Sequence, residues 1–465
     1  MKNKINILLI LFALGFASCE SWIDPDINVD PNNPSAAPVS LVLPAAQGGI
    51  AYSAGGELSR YTGYWTQQIT GIANHAARHE TYATNEADVE NLWKFYTYAG
   101  TLMDLRTVID QATEEGATHY AGVAKVLMAY KLGVTTDMWG DVPYEDAFKG
   151  DEGNITAAYQ TQEQIYGVLF GLLTEAVTDL NAAESATSPD SDDLIYGGDL
   201  TKWKRAAYAL RARFAIHLSK VNGNTAYTDA LAAIPNAFAS NDDNMGFQFG
   251  EAKVENAPLF QYLEQRGGYI GGVGKYLVDL LKNGGDTDPR LAVYAEPLED
   301  GTYEGFLPGA TVADKSEIGD LFTKADAIVN FITYAEVKFI EAEAHFSKAS
   351  PDLTAAATAY NEAVKASLAQ YGVSDTGWEG RNANETAGTI TLEKIMKGKY
   401  LATFLSEETF SDWRRHTALF NLQLAAGAKT DEIPRRFPYA QSEREYNSEN
   451  MPGGLTLTDR NWWDK

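Results

Sequence analysis

Apolar residues recur at steps of three and four through much of this chain of 465 residues. Ile332, Ala335, Phe339, Ala342 and Phe346 make one such stripe, while Glu336, Lys338, Glu341 and Glu343 fall elsewhere on the wheel, as in an amphipathic helix. Ile165, Val168, Leu172, Ala176 and Leu180 repeat the pattern, as do Trp203, Ala207, Leu210, Phe214, Leu218 and Val221. Tyr360, Val364, Leu368 and Tyr371 form another stripe, which Gly372 closes as a C-cap. Thr391 is placed to N-cap the helix running through LEKIMKGKYLATFL. The segment KASPD joins helices predicted over 332–347 and 355–371, a connection short enough to make them antiparallel neighbours. Small residues and aromatics in AEAHFSKA and AAATAYNEAVKAS are spaced as in a tetratricopeptide hairpin, yet the other helices keep no strict period. The fold class that follows is mainly α, an irregular tetratricopeptide-like scaffold of helical pairs.

Two regions break the pattern. Residues 240–310 are rich in Gly, Asn and Asp, with EQRGGYIGGVGK and NGGDTDPRL, and residues 427–465 hold many Pro, Gly and charged residues. Both read as long loops, which in compact proteins often carry function. Residues 20–44 read as an extended leader, because Pro25, Pro31, Pro34 and Pro38 amid Asp and Asn oppose helix and sheet alike.

Ahead of the leader stands a short basic start, Lys2 and Lys4, then an apolar stretch from Ile5 to Phe16, too short to span a bilayer. The small residues Ala17 and Ser18 follow, and then Cys19, the single cysteine of the chain. A thiol without a partner is idle, metal-bound, intermolecular or modified. The local pattern favours modification: FASC resembles a bacterial lipobox, with Phe16 in place of the usual leucine, although an ordinary signal peptide with a chance cysteine reads similarly. The expected division is a lipoprotein signal over 1–18, a tether over 19–44 lipidated at Cys19, and one helical domain over 45–465.

Charge narrows the partners. With 37 basic and 63 acidic residues the formal net charge is −26, which repels phosphate backbones and anionic lipid. Nucleic-acid binding is therefore not expected, and membrane contact falls to the N-terminal lipid alone. Tyrosine is unusually frequent, 25 against 19 Phe and 9 Trp, and its apolar face with a polar handle suits wet binding surfaces.

Catalytic patterns fail on inspection. A phosphate loop ending at Gly274–Lys275 would need glycine where Tyr269 stands and Ser or Thr where Tyr276 stands. AYSAG has Ala51 where a nucleophile elbow needs glycine, and no strand is expected before it. His75 and His79 share a helical spacing, but HAARHE lacks the base position of a zinc protease helix. PDSDD lacks the glycine and distal glutamate of an EF-hand loop. A glycosidase carboxylate pair cannot be named among so many acids. No enzyme activity, metal or cofactor is expected.

TDMWGDVPYEDAF (136–148) reads locally as an aromatic-anchored corner after a helix, with Gly140 and Pro143 ending it. The string resembles the signature turn of the SusD/RagB family of outer-membrane nutrient-binding lipoproteins, in its SusD-like branch. Further matches fall in the same order: NGGDTDPRL with Asp288 and Arg290, ITYAEVKFIEAEAHF, FSDWRRH, and IPRRFPYAQSEREYNSEN. With the lipobox they cover essentially the whole chain. The resemblance implies a tetratricopeptide-like scaffold with a loop-rich ligand face, a cell-surface location, and a SusC-like, TonB-dependent barrel as partner. Capture of nutrients, commonly oligosaccharides, without chemistry is what it implies for function. Peptides or another nutrient, or a ligand-free adaptor subunit of the transporter, are the alternatives. Trp413, Arg414 and Arg415 are expected to fix scaffold helices rather than touch ligand, and Asp288–Arg290 to cap a helix or loop.

The candidate ligand residues are aromatic and polar groups: Trp65, His75, Arg78 and Tyr82, then Trp93 and Tyr96, and finally Arg266 and Tyr269 on a glycine frame. Trp65, Arg78 and Tyr269 lead this set; Trp93 and Tyr96, at helical spacing with Leu92, read as core members.

Overall fold

The structure, a computed structural model, describes residues 37–150 and 152–465. Most of the scaffold forms where the stripes place it. Helices α1 (Val39–Ser53), α2 (Ser59–Trp65) and α3 (Asn74–Glu80) open the chain. The longer α4 (Met103–Glu115), which packs on α1, is followed by α5 (Thr118–Trp139), α6 (Gln162–Leu180), α7 (Leu200–His217) and α8 (Asn224–Ala233), each packed on its predecessor. The chain then leaves the stack, building irregular structure and the short helix α9 (Pro258–Gln265). It returns with α10 (Tyr334–Ser347), which packs on α8, and with α11 (Leu353–Gln370), α12 (Leu392–Ala402) and α13 (Glu408–Arg415).

Local chemistry fixes several ends. Thr391 accepts a hydrogen bond from the Lys394 amide at 3.2 Å, as its cap role requires. Gly140 adopts φ +85°, a conformation that favours glycine, and stops α5 there. Within α5, Gly133 lets the Phe214 ring of α7 sit against the backbone; a Cβ there would lie 2.4 Å from Cζ.

Two expectations change. The extended leader ends sooner than its prolines suggest: α1 starts at Val39, with Pro38 just before it and Pro44 inside. Val39, Leu43, Ala46 and Ile50 form a buried stripe at helical spacing, and that burial outweighs the backbone hydrogen bond that Pro44 removes. Nor is 240–310 simply loop. It holds α9, a helix over Lys275–Lys282 that buries Leu277, Val278 and Leu281, and strands in two antiparallel ladders. One ladder pairs β1 (Ile69–Gly71) with a strand over Ile270–Val273; the other pairs Met245–Gln248 with Ile328–Ile332. Cys19 and the signal and tether residues before 37 lie outside the described residues.

The motif side chains pin helices together in the core. Arg415 grips Glu343 of α10 with both arms, at 2.5 and 2.8 Å, and reaches Asp412 at 2.6 Å. Arg213 of α7 holds Glu336 at 2.7 and 2.6 Å, and Lys399 bridges Glu408 and Asp412. Arg414 lies over the Phe410 and Trp463 rings. Asp288 takes the Arg290 amide and guanidinium, while Arg290 also donates to Ser367 of α11 at 2.8 Å. The Arg415–Glu343 and Arg213–Glu336 pairs are bidentate and buried, and they tie α13 and α7 to α10.

Candidate ligand-binding cleft

Ser53 ends α1, and the next five residues, Ala54–Leu58, widen into a π-turn before α2 resumes. Gly56 lies outside helical geometry there, at φ −102° and ψ −108°. A second π-segment, Lys94–Leu102, packs against α1. Such bulges rotate the residues after them and concentrate at functional sites. Between these two widened turns, α9 and α3 lies an open cleft of about 510 Å³.

Two aromatic platforms line it. Tyr52 and Tyr96 stack with centroids 5.4 Å apart at 27°. Opposite, the Arg60 guanidinium lies over the Tyr262 ring, 3.7 Å from its centroid, and the Tyr262 hydroxyl bonds Nε2 of His75 at 2.9 Å. The β1 ladder assembles this wall: Ile72 N donates to Tyr269 O at 2.8 Å, bringing α3 beside the residues that follow α9. Tyr269 backs the His75 ring edge-on at 5.1 Å.

The electrostatics are unusual. Arg60 is 7% exposed, yet makes no hydrogen bond among the described residues. Glu57, one turn earlier, has its Oε2 buried without a partner. Burial raises the Glu57 carboxyl above its ordinary range, with Arg60 opposing and Asp88 adding to the shift. Burial, then Arg60 and Arg266, push the His75 imidazole down, so it stays neutral at physiological pH. His79, deeper still, is lowered to about 3, first by burial and then by His75 and Arg78.

The sequence candidates divide. His75, Arg266 and Tyr96 line the cleft, and Tyr269 supports it; Tyr96, read as core from its spacing, is half-exposed because the π-segment turns it outward. Trp65 has no exposed surface: its Nε1–H bonds His79 O at 3.0 Å and its ring meets Phe410 and Phe437, leaving no face for a ligand. Tyr82 is buried, its hydroxyl accepting from the Ala425 amide. Trp93 is buried against Trp139 and Tyr439 and donates to Glu443 at 3.1 Å. Arg78 is exposed but committed to Asp88, with both arms at 3.3 and 3.0 Å, and to Ala83 O. None of these four, Trp65, Tyr82, Trp93 and Arg78, lines the cleft.

Tyr52, Glu57, Arg60, Gln261 and Tyr262 were not among the candidates. A double glycine, Gly55–Gly56, inside an otherwise helical run is the one local sign of the bend that presents Glu57 and Arg60. A wider groove of about 670 Å³ runs past Asn85–Ala87, but its cations are already engaged: Arg444 with Glu86, and Arg436 with the Phe437 and Trp139 carbonyls. Among the described residues no group of three or more His, Cys, Asp or Glu is placed to hold a metal ion. No described helix is long and apolar enough to cross a membrane.

A helical-pair scaffold carrying an open cleft lined by tyrosines and charged groups defines the structural class of the chain. Comparison with known proteins gives the class its family: residues 31–440 match the SusD-like family described as starch-binding and associating with the outer membrane. The chain belongs to the SusD-like family, an outer-membrane-associated family of binding proteins. A solved chitin-binding protein superposes with a TM-score of 0.78 at 25% identity, covering 92% of this chain and 100% of its own. A SusD/RagB family protein from Bacteroides thetaiotaomicron gives 0.76 at 22%, over 92% of this chain and 99% of that one. A chitin-binding SusD homologue from Flavobacterium johnsoniae gives 0.70 at 22%, over 92% and 95%. No curated protein matches the chain.

Proposed function

We propose that this protein is a surface-exposed binding lipoprotein, anchored through Cys19, that captures an oligosaccharide in the cleft and passes it to a SusC-like, TonB-dependent transporter in the outer membrane. The observation that carries capture is Arg60, a guanidinium held on a tyrosine ring inside an open cleft with no acceptor among the described residues. Its nitrogens face the open cleft, where an incoming hydroxyl can take the donors that no described residue accepts. Stacked rings suit the C–H faces of sugars, and His75, Gln261, Gln265 and Arg266 stand where hydroxyls need partners. The family's description as starch-binding and the chitin-binding names of two structural neighbours support a glycan over a peptide.

Binding without chemistry is sufficient for this role. Release to a transporter must follow capture, so affinity of about 5–8 kcal/mol, millimolar to micromolar, is adequate. Titration calorimetry of the purified protein with soluble oligosaccharides and peptides tests the reading. Saturable heats with a glycan, reduced about tenfold or more in Arg60→Ala and Tyr96→Ala at unchanged thermal stability, are expected. Saturable heats with peptides alone would replace the glycan. A flat response from a folded protein that still co-purifies with a transporter barrel would make it an adaptor.

A further inference from the structure

The cleft is charge-balanced in a chain that is not. The whole sequence carries −26, yet the charged groups lining the cleft are two carboxylates, Glu57 and Asp88, and two guanidiniums, Arg60 and Arg266. Its two imidazoles, His75 and His79, add no charge at neutral pH. Asp88 is already held by Arg78 and by the Asn85 amide. Arg266 stands exposed at the rim. Among the described residues, the charged groups inside the cleft without hydrogen-bond partners are Glu57, an acceptor, and Arg60, a donor, three residues apart at the exit of the π-turn.

A free acceptor beside a free donor selects for one ligand chemistry. A sugar hydroxyl donates through its O–H and accepts through its lone pairs, so neighbouring hydroxyls satisfy both groups at once. A carboxylated sugar gains from Arg60 but brings its charge against Glu57. An amine-bearing sugar gains from Glu57 but meets Arg60. Low local dielectric makes either like-charge encounter stronger than it would be in water.

We infer that Glu57 and Arg60 act together as a specificity pair that confines the cleft to uncharged, hydroxyl-rich sugars and turns away both carboxylated and aminated ones. The inference rests on glycan capture by this cleft and narrows it.

The test compares three forms of each of two backbones, maltotetraose and cellotetraose: unmodified, with 6-carboxy groups, and with 6-amino-6-deoxy groups. Calorimetry is run at about pH 7.5, where both modified forms are charged. The natural protein should bind an unmodified tetrasaccharide roughly tenfold or more tighter than either charged form, with affinity nearly independent of salt. Glu57→Gln should narrow the gap for the carboxylated form about tenfold and leave the aminated form excluded; Arg60→Gln should do the reverse. Should either variant fail to fold, selectivity and salt-independence of the natural protein decide alone. Equal binding of neutral and charged forms overturns the pair while glycan capture stands. No binding of any form to folded protein overturns both.

Discussion

Arg60 and Tyr262 form the centre of the cleft, guanidinium over ring at 3.7 Å, although one follows the first π-turn and the other belongs to a helix nearly two hundred residues later in the sequence. The ring orients the cation and hands a hydrogen bond on to His75. A stacked, partly desolvated cation is worth about 1–2 kcal/mol. Tyr262→Ala should therefore weaken glycan binding about five- to thirtyfold, and Tyr262→Phe, which keeps the ring, clearly less. Calorimetry with one ligand on both variants checks the order; equal losses would place the effect in the hydroxyl.

Trp65 separates packing from recognition. Its fully buried indole touches Phe410 and Phe437 and satisfies the His79 carbonyl. Trp65→Ala should destabilise by about 3–5 kcal/mol, read as a drop in denaturant midpoint. An unchanged midpoint with abolished binding would return Trp65 to the ligand face.

His217 gives the core a pH signature. It lies between Asp137 and Glu408, at 3.2 and 3.0 Å. Burial alone would lower its imidazole, but Glu408 and Asp137 outweigh it and raise the value to about 9. A raised folded pKa means the stabilisation is full below the unfolded value near 6.5 and disappears as pH climbs through about 9. The stability difference between the natural protein and His217→Gln should shrink across that window by an amount on the order of 3 kcal/mol. Urea titrations at several pH values measure it; a constant difference would show a histidine already neutral.

The Glu343–Arg415 pair should be structural and nothing else. Burial pushes the Glu343 carboxyl up, but Arg415 and His416 hold it well below the carboxylate range. Glu343→Gln leaves Arg415 short of its counter-charge and should cost about 3–5 kcal/mol, with ligand selectivity unchanged in whatever folded fraction remains. Selectivity altered at full stability would contradict this.

Anchoring is tested apart from the fold. In a lipoprotein-processing bacterial host, Cys19→Ser should abolish incorporation of labelled palmitate and release the protein from the membrane fraction. Retained label would assign the lipid elsewhere.

What the sequence determined by itself is what short-range periodicity governs. The stripe through Phe339 and Ala342 marked α10, Thr391 marked the start of α12, and Gly140 the end of α5, because turn-by-turn hydrogen bonding and burial of one face depend on residues within a few positions. The acidic balance and the structural role of Arg415 were legible for similar reasons of composition and motif. Tertiary structure alone decided which aromatics meet solvent. The sequence pattern favours Trp65 for the ligand and places Tyr96 in the core, yet Trp65 is sealed by Phe437, far along the chain, and Tyr96 is half-exposed on a π-segment. The π-turn at Gly55–Gly56 likewise depends on distant neighbours: a Cβ on Gly55 would lie 2.4 Å from Cγ2 of Val329, so the close approach of that strand requires glycine here. Exposure and convergence are set by contacts between segments that the linear pattern does not relate, and a binding cleft is made of both.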